Sequence, residues 1–395
     1  MNFVFISPDF PYHYWQFCDR LKKNGVNVLG IGDAAYDTLP EGLKNALTEY
    51  YKVGSMENYD EMVKAMGYFT FRYGKIDWVE SNNEYWLEQD AKLRSDFNIT
   101  TGLNAAEIDR YKSKSGMKAY YERAGVRVAR YHMADNYDSA LAFVQEVGWP
   151  IVAKPDRGVG ACGNRKITNE AELAKFFEDW DGVPYIMEEF VDGEVATFDG
   201  VSGRNAEVFY AASHVSLGSI MDALNNGDPL CYYVDNEISP ELWRAGEATI
   251  KSFDARNRYF HCEFFRLRTG KPGLGEPGDI LGLEVNMRPA GGYTVDMLNY
   301  SGGLDTYQLW ADMVAFGEPR HSLGNGRQFC MCCGRHDNHS YVHSHEEIMA
   351  RYGEKMMLVR RLPAVLASMG DVLYMANFDD RDEMMEFSNF CTERA

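Results

Sequence analysis

The chain has 395 residues, 45% hydrophobic and 25% charged, with 59 acidic against 40 basic side chains and a net charge of −19. This length exceeds one ordinary core and predicts about two or three domains, and the composition excludes a disordered chain. The acidic balance argues against nucleic acid or an anionic membrane as a main partner, while leaving room for a local basic pocket for phosphates. No stretch approaches the about 18 apolar residues of a membrane span, and the opening MNFVFISPDF lacks the basic region of a secretory signal. Eight cysteines, three of them crowded at Cys330, Cys332 and Cys333, do not read as a disulfide framework, so a cytoplasmic location is expected.

Residues 2–6 (NFVFI) predict a short strand. The turn-rich SPDFPY then opens a helix through Tyr14, Phe17 and Leu21 to Gly25, and Val26 to Ile31 predicts a second strand. A strand–helix–strand unit implies a parallel sheet. The unit repeats at Tyr50 to Val53, a helix with Met62, Val63, Met66 and Phe69 on one face, and Ile76 to Val79. Although GIGD ends the first unit, no G-x-G-x-x-G follows the first strand, which weighs against a dinucleotide site. Glu84 begins an acidic, aromatic helix and reads either as a substrate edge or as a solvated helix start.

Ser113 predicts an N-cap for a helix with Met117, Tyr120 and Tyr121 on one face, stopped by Gly125. Lys114 falls in its first turn, where a lysine is ordinarily solvent-exposed. A strand at Val126 to Arg130 and a helix from Asn136 to Val147 follow. In PIVAKPDRGVGACGNRKI a buried-looking strand delivers Lys154 to a loop holding Gly158, Gly160 and Gly163, whose backbone N–H groups can approach phosphate oxygens closely. The loop lacks the G-K-[ST] of a P-loop, and a flexible hairpin tip explains it equally well. Asn169 with Glu172 predicts a capped helix, and Tyr185 to Val191 a strand entering Asp192-Gly193-Glu194.

The stretch GLEVNMRPAGG, Gly282 to Gly292, alternates Leu281, Leu283 and Val285 at strand period, so Glu284 and Asn286 project together from the other face, with Arg288 two residues on. Upstream, the strand-like run Tyr259 to Leu267 places Glu263 among Phe260, Phe264 and Phe265. A carboxylate and an amide carbonyl on one strand face suit a hard divalent cation. The bland alternative, edge strands facing water, is disfavoured by these apolar neighbours. Beyond a helix around Tyr307 to Phe316 comes FCMCCGRHDNHSYVHSH. Its C-x-C-C-x₂-H spacing lacks the C-x₂-C knuckle of a zinc site, and Phe329 to Cys333 reads better as a strand with buried thiols. Tyr352 to Met369 predicts a helix and Val372 to Met375 a strand. In the acidic final helix, Met384, Met385 and Phe387 read as packing residues.

The order of these parts resembles the ATP-grasp superfamily, and within it the carboxylate–amine ligases related to the carbamoyl-phosphate synthetase large subunit and to biotin carboxylase. The resemblance rests on Lys114 with its helix, Lys154-Pro155 with its glycine loop, Glu188-Glu189-Phe190-Val191-Asp192-Gly193, Glu263-Phe264-Phe265, and Glu284-Val285-Asn286-Met287-Arg288-Pro289. It implies an α/β and α+β chain: a parallel preATP-grasp α/β domain over 1–110, then a two-lobed ATP-grasp fold with antiparallel sheets. The small lobe would occupy 111–195, the large lobe with the metal site 196–320, and a segment closing the large lobe 321–395.

The same resemblance implies roles. Lys114 and Lys154 would hold ATP phosphates, with Gly158, Gly160 and Gly163 closing over the β- and γ-phosphates. Glu188, Glu189, Phe190 and Val191 would form the hinge beside adenine. Glu194 would take the ribose hydroxyls, although relatives often carry two acids there and the second position here is Val195. Glu263, Glu284 and Asn286 would bind Mg2+, as one ion or two, with Mn2+ able to substitute. Arg288, with Lys154, would stabilise the transferring phosphoryl group or the acyl phosphate. His214 stands where some relatives place a phosphate or substrate contact.

The activity implied is an ATP-dependent carboxylate–amine or carboxylate–thiol ligase that forms an acyl phosphate and releases ADP and phosphate. Its partners would be small-molecule substrates, and the resemblance also allows a homodimer. The alternatives are a bicarbonate-phosphorylating carboxylase or carbamoyl-phosphate-synthetase-like enzyme, and a non-catalytic ATP-binding regulatory protein. Phosphoryl transfer is mostly positioning and charge neutralisation, and the chain supplies both the cations and the acids this needs.

Overall fold

A computed structural model describes residues 1–158, 163–218, 230–324 and 326–395. Its first layer comprises β1 (Asn2–Ile6), α1 (Trp15–Lys23), β2 (Asn27–Gly32), α2 (Glu41–Ala46), β3 (Glu49–Lys52), α3 (Tyr59–Tyr73), β4 (Trp78–Glu80) and α4 (Leu87–Asp96). The strands are parallel in the order β3-β2-β1-β4, as the repeated strand–helix–strand pattern predicts. Phe3 and Phe5 pack against α1 and α2, while Val4 and Ile6 pack against α3, so both sheet faces are covered. The loops leaving β1 and β4 consequently meet at one edge, where the Tyr14 hydroxyl donates to the Asn82 carbonyl at 2.9 Å.

Next come α5 (Lys114–Arg123), β5 (Arg127–Val128), β6 (Tyr131–Met133), α6 (Tyr137–Val147), β7 (Ile151–Pro155), β8 (Arg165–Ile167), α7 (Glu170–Glu178) and β9 (Tyr185–Glu189). The helix starts are set by side chains: Ser113, Asn136 and Asn169 each accept a backbone N–H of the first turn, at 3.0, 2.9 and 3.0 Å. The small antiparallel sheet has the order β6-β9-β7-β8. The strand expected over 126–130 forms in part, as β5, and a second short strand, β6, follows it. β5 runs parallel to a strand of the large sheet, whereas β6 pairs with β9 in the small one.

The remainder forms a mixed sheet of ten strands. In chain order it comprises β10 (Gly193–Ser202), β11 (Val208–Ala212), β12 (His214–Ser216), β13 (Cys231–Val234), α8 (Pro240–Ser252), β14 (Arg258–Leu267), β15 (Ile280–Asn286), α9 (Thr294–Gly302), α10 (Thr306–Phe316), β16 (Phe329–Arg335), α11 (His345–Tyr352), β17 (Met356–Arg361), β18 (Val372–Phe378) and α12 (Arg381–Thr392). Strand order is β17-β18-β16-β13-β12-β10-β14-β15-β5, with β11 also on β10. The helix expected from Tyr352 to Met369 is not formed. Met356–Arg361 is an edge strand on β18, where half-buried Met356 and Leu358 alternate with exposed Met357 and Val359, and ladder pairing overrides the local helix tendency.

β16 explains the cysteine-rich stretch. Cys330 and Cys332 point into one core beside Tyr232 and Met375, and Cys333 into another beside Cys231 and Cys391. Among the described residues the converging His/Cys/Asp/Glu group lies elsewhere, at Asp199, His214 and His261. Among them also, no helix is long and apolar enough to cross a membrane.

Candidate functional site

β14 and β15 are antiparallel, with Glu263 directly opposite Glu284 and His261 opposite Asn286. The strict alternation predicted through Leu283 is interrupted by a bulge, because Glu284 pairs with Glu263 and Gly282 already with Phe264. Glu284 and Asn286 lie beyond it and share a face. Two carboxylates opposed in this way repel. Burial, reinforced by Glu263 and Glu84, pushes Glu284 up despite Lys114, while Glu263 is drawn down against its burial by His261.

α5 brings Lys114 to this face, with its Nζ 3.4 Å from a Glu284 oxygen. The helix lies close because Gly282 has no side chain: a Cβ there would sit 2.4 Å from the Tyr121 ring. Asp156, just after β7, fixes the helix start. Its carboxylate accepts from the Ser115 N–H at 2.7 Å and from the Ser113 hydroxyl at 2.8 Å, and its carbonyl from the Lys114 N–H at 2.9 Å. The strand carrying Lys154 and the helix carrying Lys114 are thus joined at the root of the glycine loop.

Lys154 donates to Glu188 at 2.5 Å, and Lys118 pairs with the other oxygen of the same carboxylate. Burial opposes the charge on Glu188, but Lys118 and Lys154 outweigh it and hold the acid at about 2. Lys118 went unremarked in the sequence. Its spacing of i+4 from Lys114, which puts both on one helix face, is the signal that could have found it.

The other expected residues divide. Gly163 has φ +79°, a conformation that suits glycine, and among the described residues Gly158 has Pro155 near its missing side chain. Gly160 lies outside the described residues. Glu189 turns away from Glu188 and is held by Arg130 at 2.7 and 2.9 Å and by Lys271 at 2.9 Å. Phe190 lies under Lys166, whose Nζ is 4.5 Å from the ring centre, and Val191 packs with Leu267 and Leu281. The β10 pleat puts Glu194 on the face of Ala196 and, across the ladders, Val215 and Tyr233, opposite to the face that carries Glu263. The structure therefore does not bring Glu194 to the acid pair.

Arg288 donates to Glu84 at 2.7 Å and to the Pro289 carbonyl at 2.8 Å. Flanking Glu263, Asp199 accepts from His261 Nδ1 at 2.6 Å and pairs with His214 Nδ1 at 2.7 Å. His261 Nε2 lies 3.2 Å from Glu263, and despite burial Asp199 and Glu263 push His261 up to about 9. Neither Asp199 nor His261 was singled out from the sequence, since nothing local distinguishes them. Electrostatic interaction joins Glu284 to Lys114, Glu263, Glu84 and Lys154, and Glu263 to His261, His214 and Arg288.

Residues 109–182 match the family profile described as the carbamoyl-phosphate synthase L chain, ATP binding domain. Alanine–anticapsin ligase of Bacillus subtilis is 24% identical over 291 residues, 66% of this chain and 57% of that protein. The chain thus spans a little over half the length of that curated relative. The L-amino acid ligase of Bacillus licheniformis superposes with a TM-score of 0.70 at 15% identity, covering 98% of this chain and 96% of that one. The biotin carboxylase domain dimer of the Hydrogenobacter thermophilus 2-oxoglutarate carboxylase, in complex with MgADP, ADP and bicarbonate, gives 0.69 at 15% identity, covering 100% and 90%.

Proposed function

The chain has the ATP-grasp fold, and on that premise we propose that it is an ATP-dependent ligase joining a small-molecule carboxylate to an amine, or to a thiol. The observation that carries this reading is the opposed pair Glu263 and Glu284, with Asn286 on the same face and Lys114 Nζ 3.4 Å from Glu284.

The donor set suits magnesium: two carboxylates and an amide carbonyl are hard oxygen ligands, and a divalent cation relieves the repulsion between the acids. Glu263, Glu284 and Asn286 would hold one or two such ions, with manganese able to replace them, and the metal would neutralise and orient the phosphates of ATP. Lys114 and Lys154 take the phosphate oxygens. Lys154 then divides its donors between phosphate and Glu188, while Lys118 keeps the Glu188 carboxylate in place. Gly158, Gly160 and Gly163 supply backbone N–H groups above the phosphates, and the main chain of Glu188 to Val191 reads the adenine edge. The substrate carboxylate oxygen attacks the γ-phosphorus, the bond to the β,γ-bridging oxygen breaks, and ADP leaves. Arg288 stabilises the charge that develops on the transferring group. The amine then attacks the acyl carbon, and phosphate departs.

The test is ADP and phosphate release from ATP and magnesium with a panel of amino acids and other carboxylates, assayed with and without bicarbonate. Release that requires a carboxylate and an amine together, and loss of at least 10²-fold in Glu284→Ala with the fold intact, are expected. Release that requires bicarbonate alone would favour a carboxylase. ATP-induced thermal stabilisation with no turnover under any substrate would make the chain a regulatory nucleotide binder. The buried free thiols fit a reducing compartment such as the cytoplasm, and a homodimer is proposed by analogy with the carboxylase domain, to be checked by light scattering.

A further inference from the structure

Two rows of side chains cross the large sheet on the face that carries the opposed acids. Asp199 of β10, His261 of β14 and Asn286 of β15 are cross-strand neighbours in one row. Thr197 of β10, Glu263 of β14 and Glu284 of β15 form the next, and the His214 N–H of β12 donates to the Thr197 hydroxyl at 2.8 Å. The members differ in what solvent reaches. The side chains of Glu263 and Glu284 are 28% and 16% exposed, whereas His261 is 7% exposed and Asp199 fully buried. A cation entering the site therefore meets the acids, with His261 and Asp199 behind them.

His261 links the two levels. Its Nδ1 lies 2.6 Å from Asp199 Oδ1 and its Nε2 3.2 Å from Glu263 Oε1. An ionised carboxylate only accepts, so the ring donates at both ends. Asp199 is itself fixed: its Oδ2 accepts from the Thr197 hydroxyl at 2.5 Å and pairs with His214 Nδ1 at 2.7 Å. The His214 and His261 rings stack with centres 5.4 Å apart, so the His261 ring cannot turn freely. Glu263 Oε1 is thus held at the end of a chain anchored one strand away, and the other oxygen is left for a cation. A carboxylate without such a partner has rotamer freedom to lose when it binds a metal, which weakens the binding.

We propose that His261 is a positioning residue for the metal site, holding Glu263 through Nε2 while Asp199 fixes its ring. This rests on the assignment of Glu263 as a metal ligand. The competing role, a ring that serves only the buried Asp199, uses Nδ1 alone. Side-chain length separates the two, because asparagine places its amide nitrogen near the Nδ1 position and glutamine near the Nε2 position. Asp199 keeps His214 and Thr197 in either variant, so the fold should persist, which circular dichroism checks. Manganese binding to the full chain with saturating ADP, read from the electron paramagnetic resonance signal of free Mn2+, tests the proposal without turnover. His261→Asn should weaken manganese about 10–100-fold, and His261→Gln should stay within about threefold of the parent. Unchanged affinity in His261→Asn, or a loss in His261→Gln as large as in His261→Asn, would overturn the proposal and leave the metal reading standing. A parent chain that binds no manganese would overturn the metal reading and the proposal with it.

Discussion

Arg288 and Glu84 meet at 2.7 Å and join the end of the large-sheet strand β15 to the loop after β4 in the N-terminal layer. The two residues are 204 positions apart, and the contact decides between the two readings of Glu84: it is a partner of the proposed phosphoryl-stabilising arginine, not a solvated helix start.

Glu84→Gln keeps the shape and removes the charge. A buried guanidinium left without its counter-ion costs about 3 kcal/mol. Urea denaturation should show a loss of this size, and ADP release should fall at least about tenfold because Arg288 is no longer held in place. A variant with unchanged stability and unchanged turnover would show that the pair is idle.

Glu188 predicts a specific acid response. Its pKa is near 2 in the fold, against an ordinary value of 4.5. A depressed carboxylate stabilises fully above its unfolded pKa and loses that contribution as pH falls through its folded one, here between about 4.5 and 2. The shift corresponds to about 3 kcal/mol. Glu188→Gln should be less stable than the parent by about this amount at pH 7, with the gap closing toward pH 2. A gap that stays constant with pH would contradict it.

Asp296 predicts the reverse. Burial pushes it up to about 6 although Tyr307 and Gln16 hydrogen-bond to it, so ionising it costs the folded state. That penalty is absent below its ordinary value of 3.8 and complete above pH 6. Asp296→Asn should match the parent near pH 3.5 and exceed it by about 3 kcal/mol at pH 8, measured by denaturation at each pH. An Asn variant less stable at pH 8 would mean that the charge is paired.

Gly282→Ala tests how α5 is held against the sheet. An added Cβ would meet the Tyr121 ring at 2.4–2.7 Å. The ring has little room to yield, so about 1–3 kcal/mol should be lost and Lys114 carried away from Glu284. Thermal denaturation should show the first effect, and a raised KM for ATP the second. Unchanged values of both would show that α5 accommodates the methyl group.

Local chemistry was legible where it acts within a few residues. The caps at Ser113, Asn136 and Asn169, the parallel N-terminal units, and the strand runs carrying Glu263 and Glu284 follow from neighbouring side chains and period. The division of residues 126–133 between two sheets and the edge strand at Met356–Arg361 did not follow, because a ladder partner far along the chain outweighs a short segment's own preference.

The sequence by itself supplied the residue types that the proposed phosphoryl chemistry needs: Glu284 and Asn286 stand out by strand period and Glu263 by its apolar neighbours, while Lys114, Lys154 and Arg288 stand out only through the resemblance in motif order. Only the tertiary structure decided how they are paired. Lys118 and Lys154 share Glu188, Glu84 holds Arg288, and Asp199 holds His214 and His261, each across strands or layers. Charge is a property of one residue, but the energy of a charge depends on its distance to another and on the water excluded between them, which the folded topology sets.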